Sequence, residues 1–337
     1  MKKKKRLNGG RLSLLLSISV TVFFLLFYTL FRISTSGWNG NSRYTVVMQN
    51  IASDIGDGQS GLGVLTIEPK QNSAVFLFLP PNFMMDIPYG YRTYPVFSIY
   101  KLGQLDQRRG GGYLLKKSVE TTLGIKADRF ILFSENSSTQ TQIPVNDQQL
   151  SLFKRNKFTL MRGLGILNDS MGNRLTTDLK FLELVRLFFA FRGLRLDQID
   201  LINLGGGQAV HKEKLADESS VFILDTEVFD HEFADKFYDL LIRKEAFTLE
   251  VQNATGVMKI AGQFARILEH LGANVVSKST AESINSTACR IIFYKEGAKS
   301  SIIGRVLIKD YGCVEDEIDR QQPQSDIKVI IGKGFLE

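Results

Sequence analysis

Histidine and cysteine are scarce in this chain, at three and two of 337 residues. His211, His231 and His270 fall on separate predicted elements without a metal-ligand spacing, and His270 falls on the polar, solvated side of its helix. No Ser/His/Asp or Cys/His set can be assembled from the sequence. Acidic residues are missing from the first 32 positions, which hold seven of the 42 Lys and Arg. The remaining 35 bases balance the 35 acids of the body, so the net charge of +7 belongs to the terminus. A body so neutral has no general attraction for polyanions, which argues against nucleic acid as a partner. No internal repeat is present. The apolar content, 44% of residues, is ordinary, so a globular core is expected rather than disorder.

What is present at the N-terminus is one uncharged run, 12–31. Fourteen of its twenty residues are Leu, Ile, Val or Phe. As a helix, about 20 residues span about 30 Å, the thickness of a bilayer's hydrocarbon core. Those side chains favour insertion by at most about 4–8 kcal/mol before Ser13, Ser17, Ser19 and Thr21 are counted against it. Lys2–Arg6 and Arg11 precede the run and Arg32 alone follows it. The positive-inside rule therefore predicts a cytoplasmic N-terminus and an extracytoplasmic body. A cleaved signal would be shorter and would end on small residues, whereas this run leaves through Phe31-Arg32-Ile33. The expected localisation is a single-pass cell-membrane protein anchored by residues 12–31.

Residues 33–43 read as a Ser/Gly/Asn-rich tether, with Trp38 suited to the headgroup level. Short β-branched or aromatic runs predict strands over 44–48, 63–67, 74–79 and 129–133, with a helix over 113–123 stopped by Gly124. Strand, helix, strand in that order implies an α/β layer architecture for 44–243. Residues 135–149 read as a polar loop. Thr177-Asp178 is placed to cap an apolar helix over 179–191, buried on most sides, and Asp225 or Thr226 to cap a helix over 227–243. Gly110-Gly111-Gly112 reads as a flexible entry loop, and Gly205-Gly206-Gly207 as a loop.

In 245–337 the predicted order is β-α-β-β-α-β, that of a ferredoxin-like module. Its first helix carries Val257, Ile260, Ala261, Phe264, Ile267, Leu268 and Leu271 on one face and ends at Gly272. Cys289 and Cys313 lie at the same end of this module, on the side of the membrane where a disulfide can persist. A bridge between them and two unpaired thiols both remain open.

Residues 247–336 resemble the LytR C-terminal domain through Thr248-Leu249-Glu250-Val251-Gln252-Asn253-Ala254-Thr255-Gly256, Leu268-Glu269-His270-Leu271-Gly272-Ala273-Asn274-Val275-Val276, Ile292-Phe293-Tyr294 and Val329-Ile330-Ile331-Gly332. Residues 44–240 resemble, more faintly, the catalytic domain of the LytR–CpsA–Psr family. The matching segments are Thr66-Ile67-Glu68-Pro69-Lys70, Leu79-Pro80-Pro81-Asn82 with Asp86-Ile87-Pro88, Gly111–Glu120, and Leu175-Thr176-Thr177-Asp178-Leu179. That resemblance implies a phosphotransferase moving a glycopolymer from a polyprenyl pyrophosphate carrier onto peptidoglycan, with arginines on the pyrophosphate and an aspartate on magnesium.

Here the family's R-S-D-T is Gln59-Ser60-Gly61-Leu62, and its P-R-D is Pro80-Pro81-Asn82. The arginine and aspartate positions are unmatched, and proline cannot replace a bidentate phosphate clamp. No catalytic, cofactor or metal residue is therefore assigned. Arg108 and Arg109 are candidate ligand or phosphate contacts, and Asp54 and Asp57 could join them in a remade site. The leading expectation is a non-catalytic envelope protein that binds or scaffolds. Its expected partners are cell-wall polymer, polyprenyl lipid or envelope proteins. The alternative is an active magnesium-dependent transferase.

Overall fold

The computed structural model describes residues 19–21, 23–24, 37–51, 61–134, 143–158, 175–216, 218–317 and 324–336. The expected anchor falls mainly outside these residues, and so do Asp54, Asp57, Gln59 and Ser60. The described part of the anchor run, 19–21 and 23–24, is helical. Among the described residues, no helix is long and apolar enough to cross a membrane.

The first domain is built on a mixed six-stranded sheet, ordered β7-β6-β1-β2-β3-β8. Its strands are β1 (Tyr44–Ile51), β2 (Leu62–Glu68), β3 (Ser73–Leu79), β6 (Arg129–Ser134), β7 (Leu175–Thr177) and β8 (Ile199–Asn203). The central strands are buried on both faces, and alternate side chains feed two separate cores. Val47, Val64 and Leu77 enter one with α2 (Gly111–Leu123); Val46, Leu65 and Phe76 enter the other. On that second face α3 (Asp147–Lys157) contributes Leu150 and Phe153, and α4 (Phe181–Gly193) contributes Leu187 and Phe191. The result is the expected α/β layering.

Several local expectations are corrected. The hairpin β4 (Met84–Asp86) and β5 (Thr93–Pro95) leads directly into a further helix, α1 (Val96–Leu105). The polar stretch at 146–149 begins α3, capped by Asn146, whose side chain accepts from the Gln149 N–H. Asp178 does not cap α4. It accepts from the Phe130 N–H at 2.8 Å and pairs with Lys116 at 2.7 Å, stitching β6 to α2. Nor is α4 buried on most sides, since Phe181 and Phe189 are exposed and only Glu183, Leu184, Leu187 and Phe191 are buried. Trp38 is not an interfacial side chain; it is buried against the domain, stacked on Tyr44 at 4.4 Å, with its backbone N–H donating to Glu183 and its indole N–H to the Ser42 carbonyl. The hairpin β9 (Val210–Lys214) and β10 (Ser220–Leu224) follows β8. Asp225 then caps α5 (Thr226–Phe233), and the helix expected over 227–243 breaks into α5, a 3₁₀ turn and α6 (Leu240–Glu245), restarted by Asp239.

The C-terminal module has the sheet order β12-β11-β15-β13-β14. Its strands are β11 (Thr248–Ala254), β12 (Asn274–Thr280), β13 (Cys289–Phe293), β14 (Val314–Glu315) and β15 (Ile327–Gly332), with α7 (Ile260–His270) and α8 (Ile302–Lys309) packed on one face. The ferredoxin-like arrangement is not what forms. β11 pairs in parallel with both β12 and β15, so the βαβ unit is closed rather than split. Element order alone does not choose neighbours, and here β15, not β13, lies beside β11 and takes the centre. Cys289 and Cys313 form a disulfide with Cα atoms 4.4 Å apart.

The two domains are joined by charged contacts. Glu245 accepts from the N–H groups of Ile302 and Ile303 at the start of α8, where the helix dipole favours a carboxylate. Arg266 on α7 reaches both Asp230 on α5 and the carbonyl of Thr122 on α2. His270 is buried and pairs with Asp230 at 3.2 Å, contrary to its expected solvated position.

Candidate functional site

The end of the sheet where family resemblance places phosphate chemistry is closed by packing. Gly61 is buried, and a Cβ there would come within 2.4 Å of the Phe78 ring and 2.5 Å of the Leu79 carbonyl. Asn82 donates its side-chain amide to the carbonyl of Ser220, tying this segment to β10. Val145 lies nearby, its carbonyl accepting from Asn203 at 3.1 Å. Neither position offers the carboxylate that magnesium requires, so these residues do not fit that metal. Among the described residues, no group of three or more His, Cys, Asp or Glu could hold a metal ion.

Arg108 and Arg109 lie in the turn before α2. Arg109 pairs with Asp106 at 2.9 Å, and its guanidinium lies 4.0 Å over the Tyr89 ring. Hydrogen bonds from Arg109 and from the Arg108 N–H hold the Asp106 carboxyl below its ordinary range. The Arg108 side chain is exposed. The three glycines that follow are not the flexible entry loop expected of them, since Gly111 and Gly112 already belong to α2. A Cβ on Gly111 would meet Tyr100 at 2.3 Å, and one on Gly112 would meet Phe130 at 2.4 Å, so both serve close packing of the first turn of α2.

The space beneath α4 is about 30 Å³ among the described residues. Phe153, Phe158 and Phe188 line it, and Phe191 joins them in a chain of ring contacts.

A wide concavity lies instead between the domains, with a volume of about 660 Å³. One wall comes from the β4–β5 loop and α2 through Tyr89, Tyr91, Tyr113 and Lys117. The other comes from the turn before α7 and from α7 itself, through Val257 and Gln263. The turn explains part of the module's sequence signature. Asn253 donates to the Val257 carbonyl at 2.6 Å, while Asn253 Oδ1 accepts from both the N–H and the hydroxyl of Thr255. Gly256 supplies a positive φ of 78°. This buried network fixes a loop whose tip, Val257 and Met258, remains exposed.

Lys117 pairs with Glu120 at 2.6 Å, and although burial works against its charge, that carboxylate raises its pKa. A smaller cavity of about 360 Å³ at the same interface is charged but internally neutralised. Lys126 there bridges Asp128 and Asp310, and the half-buried Arg43 donates to the carbonyls of Lys236 and Tyr238. Burial lowers the Arg43 pKa to about 9 against the pull of Glu68, Asp239 and Asp128.

Sequence reading assigned none of the cleft residues. The one usable signal was the Tyr113/Lys117 pair at i, i+4 on α2, directly after the three glycines.

The architecture is that of a two-domain α/β protein with a C-terminal βαβ-containing module. Residues 246–335 match the family model of the LytR cell envelope-related transcriptional attenuator, and the module is a domain of that family. Among solved structures, the chain is similar to a transcriptional regulator from Enterococcus faecalis at 12% identity and a TM-score of 0.43, covering 69% of this chain and 88% of that one. It is also similar to B. subtilis TagV, at 11% identity and 0.42 over 69% and 99% of the two chains. For B. subtilis TagT the figures are 15% and 0.37 over 58% and 90%. No curated protein matches the chain in sequence.

Proposed function

We propose that this is a membrane-anchored, extracytoplasmic cell-envelope protein that binds or scaffolds wall components and does not catalyse glycopolymer transfer. The observation that carries the reading is Gly61. The position that would supply the metal-binding carboxylate is a buried glycine with a Cβ-excluding contact to Phe78. Loss of one group that stabilises transition-state charge typically costs about 3–4 kcal/mol, or 10²–10³ in rate. Asn82, at the second such position, is committed to Ser220. Arg109, the candidate replacement, is committed to Asp106 and Tyr89. The disulfide and the basic N-terminal flank of 12–31 agree with a body outside the cytoplasm.

The full-length protein in detergent, given magnesium and a polyprenyl-pyrophosphate-linked glycan, should release no phosphate and transfer no polymer. Turnover that disappears on Arg108→Ala or Arg109→Ala would replace this reading with that of a transferase. Labelling of single introduced cysteines on intact cells should reach positions after Arg32; protection of the whole body would remove the extracytoplasmic assignment.

A further inference from the structure

We propose that the cleft between the two domains is a binding site for an uncharged saccharide segment, stacked on Tyr113 and closed from the other side by Val257. The inference rests on the reading of the protein as a binder and names the ligand class of its main concavity.

The cleft volume of about 660 Å³ is in the range of small-ligand sites, which favour domain interfaces. Its first wall is an aromatic shelf. The rings of Tyr89 and Tyr113 are nearly parallel, 21° apart with centroids 6.2 Å apart, and their hydroxyls are 3.0 Å from each other. The Arg109 guanidinium lies 4.0 Å over the Tyr89 ring and is itself fixed by Asp106. The shelf is therefore rigid, and Tyr113 remains 36% exposed. Across the cleft, the Asn253–Thr255 network holds Val257 in place at 49% exposure. An exposed apolar side chain on a fixed turn, facing a rigid aromatic shelf, is the arrangement of a clamp rather than of a packed interface.

Charge selects the occupant. The ionisable side chains along the cleft, tyrosines aside, are Asp86, Arg92, Lys117, Glu120 and Asp310. Lys117 is neutralised by Glu120, Asp310 shares Lys126 with Asp128, and Arg92 is offset by Asp86, so the cleft holds no surplus positive charge. No excess of cations awaits a phosphate polymer. The walls are mainly apolar, but a hydrocarbon chain would leave Asp86, Arg92 and Gln263 without partners. A pyranose meets both requirements. Its C–H face carries slight positive charge toward the negative face of a tyrosine ring, and its hydroxyls are donors and acceptors for the Gln263 amide, Asp86 and Arg92.

The test uses the full-length protein in detergent and a soluble N-acetylglucosamine tetramer as probe, followed by saturation-transfer NMR and calorimetry. Saturable binding is expected, weakened about tenfold in Tyr113→Ala and retained in Tyr113→Phe. Tyr94→Ala, an exposed tyrosine outside the cleft, should leave it unchanged. The absence of saturable binding, or equal affinity in Tyr113→Ala with its circular dichroism unaltered, would overturn the site. So would binding of a glycerol-phosphate polymer or a wall stem peptide in place of the saccharide. The transfer assay above is independent, since turnover there would remove the non-catalytic reading while leaving saccharide binding measurable.

Discussion

Arg266 of the C-terminal module closes on Asp230 of the first domain through two nitrogens, with Nε 2.7 Å from Oδ2 and Nη2 2.7 Å from Oδ1. The same carboxylate accepts from His270 at 3.2 Å. Because Arg266 also reaches the Thr122 carbonyl at 2.8 Å, one guanidinium ties α7 to both α5 and α2 and sets one edge of the domain interface. Asp230→Ala leaves a half-buried guanidinium without its partner and should cost about 2–3 kcal/mol in denaturant unfolding. An unchanged midpoint would show that the pair only decorates the interface.

The acid limb of stability should follow from the same carboxylate. Burial alone would raise the Asp230 pKa, but hydrogen bonds from His270 and Arg266 outweigh it and hold the value below the ordinary range. A depressed folded pKa means that the stabilisation is complete above the unfolded value, about 3.9, and disappears as pH falls through the folded one. Unfolding midpoints measured between pH 5 and 2 should fall less steeply for Asp230→Asn than for the native chain. Parallel curves would assign the acid loss elsewhere.

Reduction of Cys289–Cys313 should lower the stability of the C-terminal module by about 3 kcal/mol, from the entropy of the loop it closes in the unfolded chain. The bridge ties the start of β13 to the chain just past α8, and its sulfurs are buried in the module core. Cys289→Ser with Cys313→Ser should show the loss as an earlier transition for that module. An unaltered melting curve would contradict it.

Tyr311 is buried, and among the described residues its hydroxyl has no hydrogen-bond partner. Its ring packs edge-on against Phe264 at 4.8 Å. Tyr311→Phe keeps that contact and removes an unsatisfied group, so stability should stay level or rise by about 1 kcal/mol. A clear loss would reveal a partner for the hydroxyl in solution.

Much of this fold was legible because buried strands and one-sided helices write their environment into the chain. Val46, Val47, Val64 and Leu65 mark the central strands, and Ala261, Phe264 and Leu268 mark the inner face of α7. What escaped was burial contributed by another element. His270 lies off the inner stripe of α7, yet the first domain covers it, and a helix's own periodicity carries no record of a neighbouring domain. The helix α1 escaped because Val96, Phe97, Ile99 and Tyr100 have strand propensity, and Pro95 fixes only where it starts. The cleft escaped for the same reason as His270: Tyr113 and Val257 are far apart in sequence and meet only through domain packing.

The closed sheet end yields the sharpest prediction about chemistry. Restoring the family's carboxylates as Gly61→Asp and Asn82→Asp should not create a transferase. At Gly61 the new side chain must displace the Phe78 ring and crowd the Leu79 carbonyl, with Cβ contacts of 2.4 and 2.5 Å before any carboxylate is placed. Overpacking of this kind costs about 1–3 kcal/mol, and a buried carboxylate without a cation adds to it. At Asn82 the change removes the donor that holds the Ser220 carbonyl and turns a carboxylate toward that oxygen. Each variant should therefore melt earlier than the native protein, Gly61→Asp by the larger margin. With magnesium and a polyprenyl-pyrophosphate-linked glycan, neither the single variants nor the pair should transfer polymer. Magnesium-dependent turnover in the double variant, absent from both singles, would show that the sheet end opens readily. The non-catalytic reading would then rest on two side chains rather than on the packing around them.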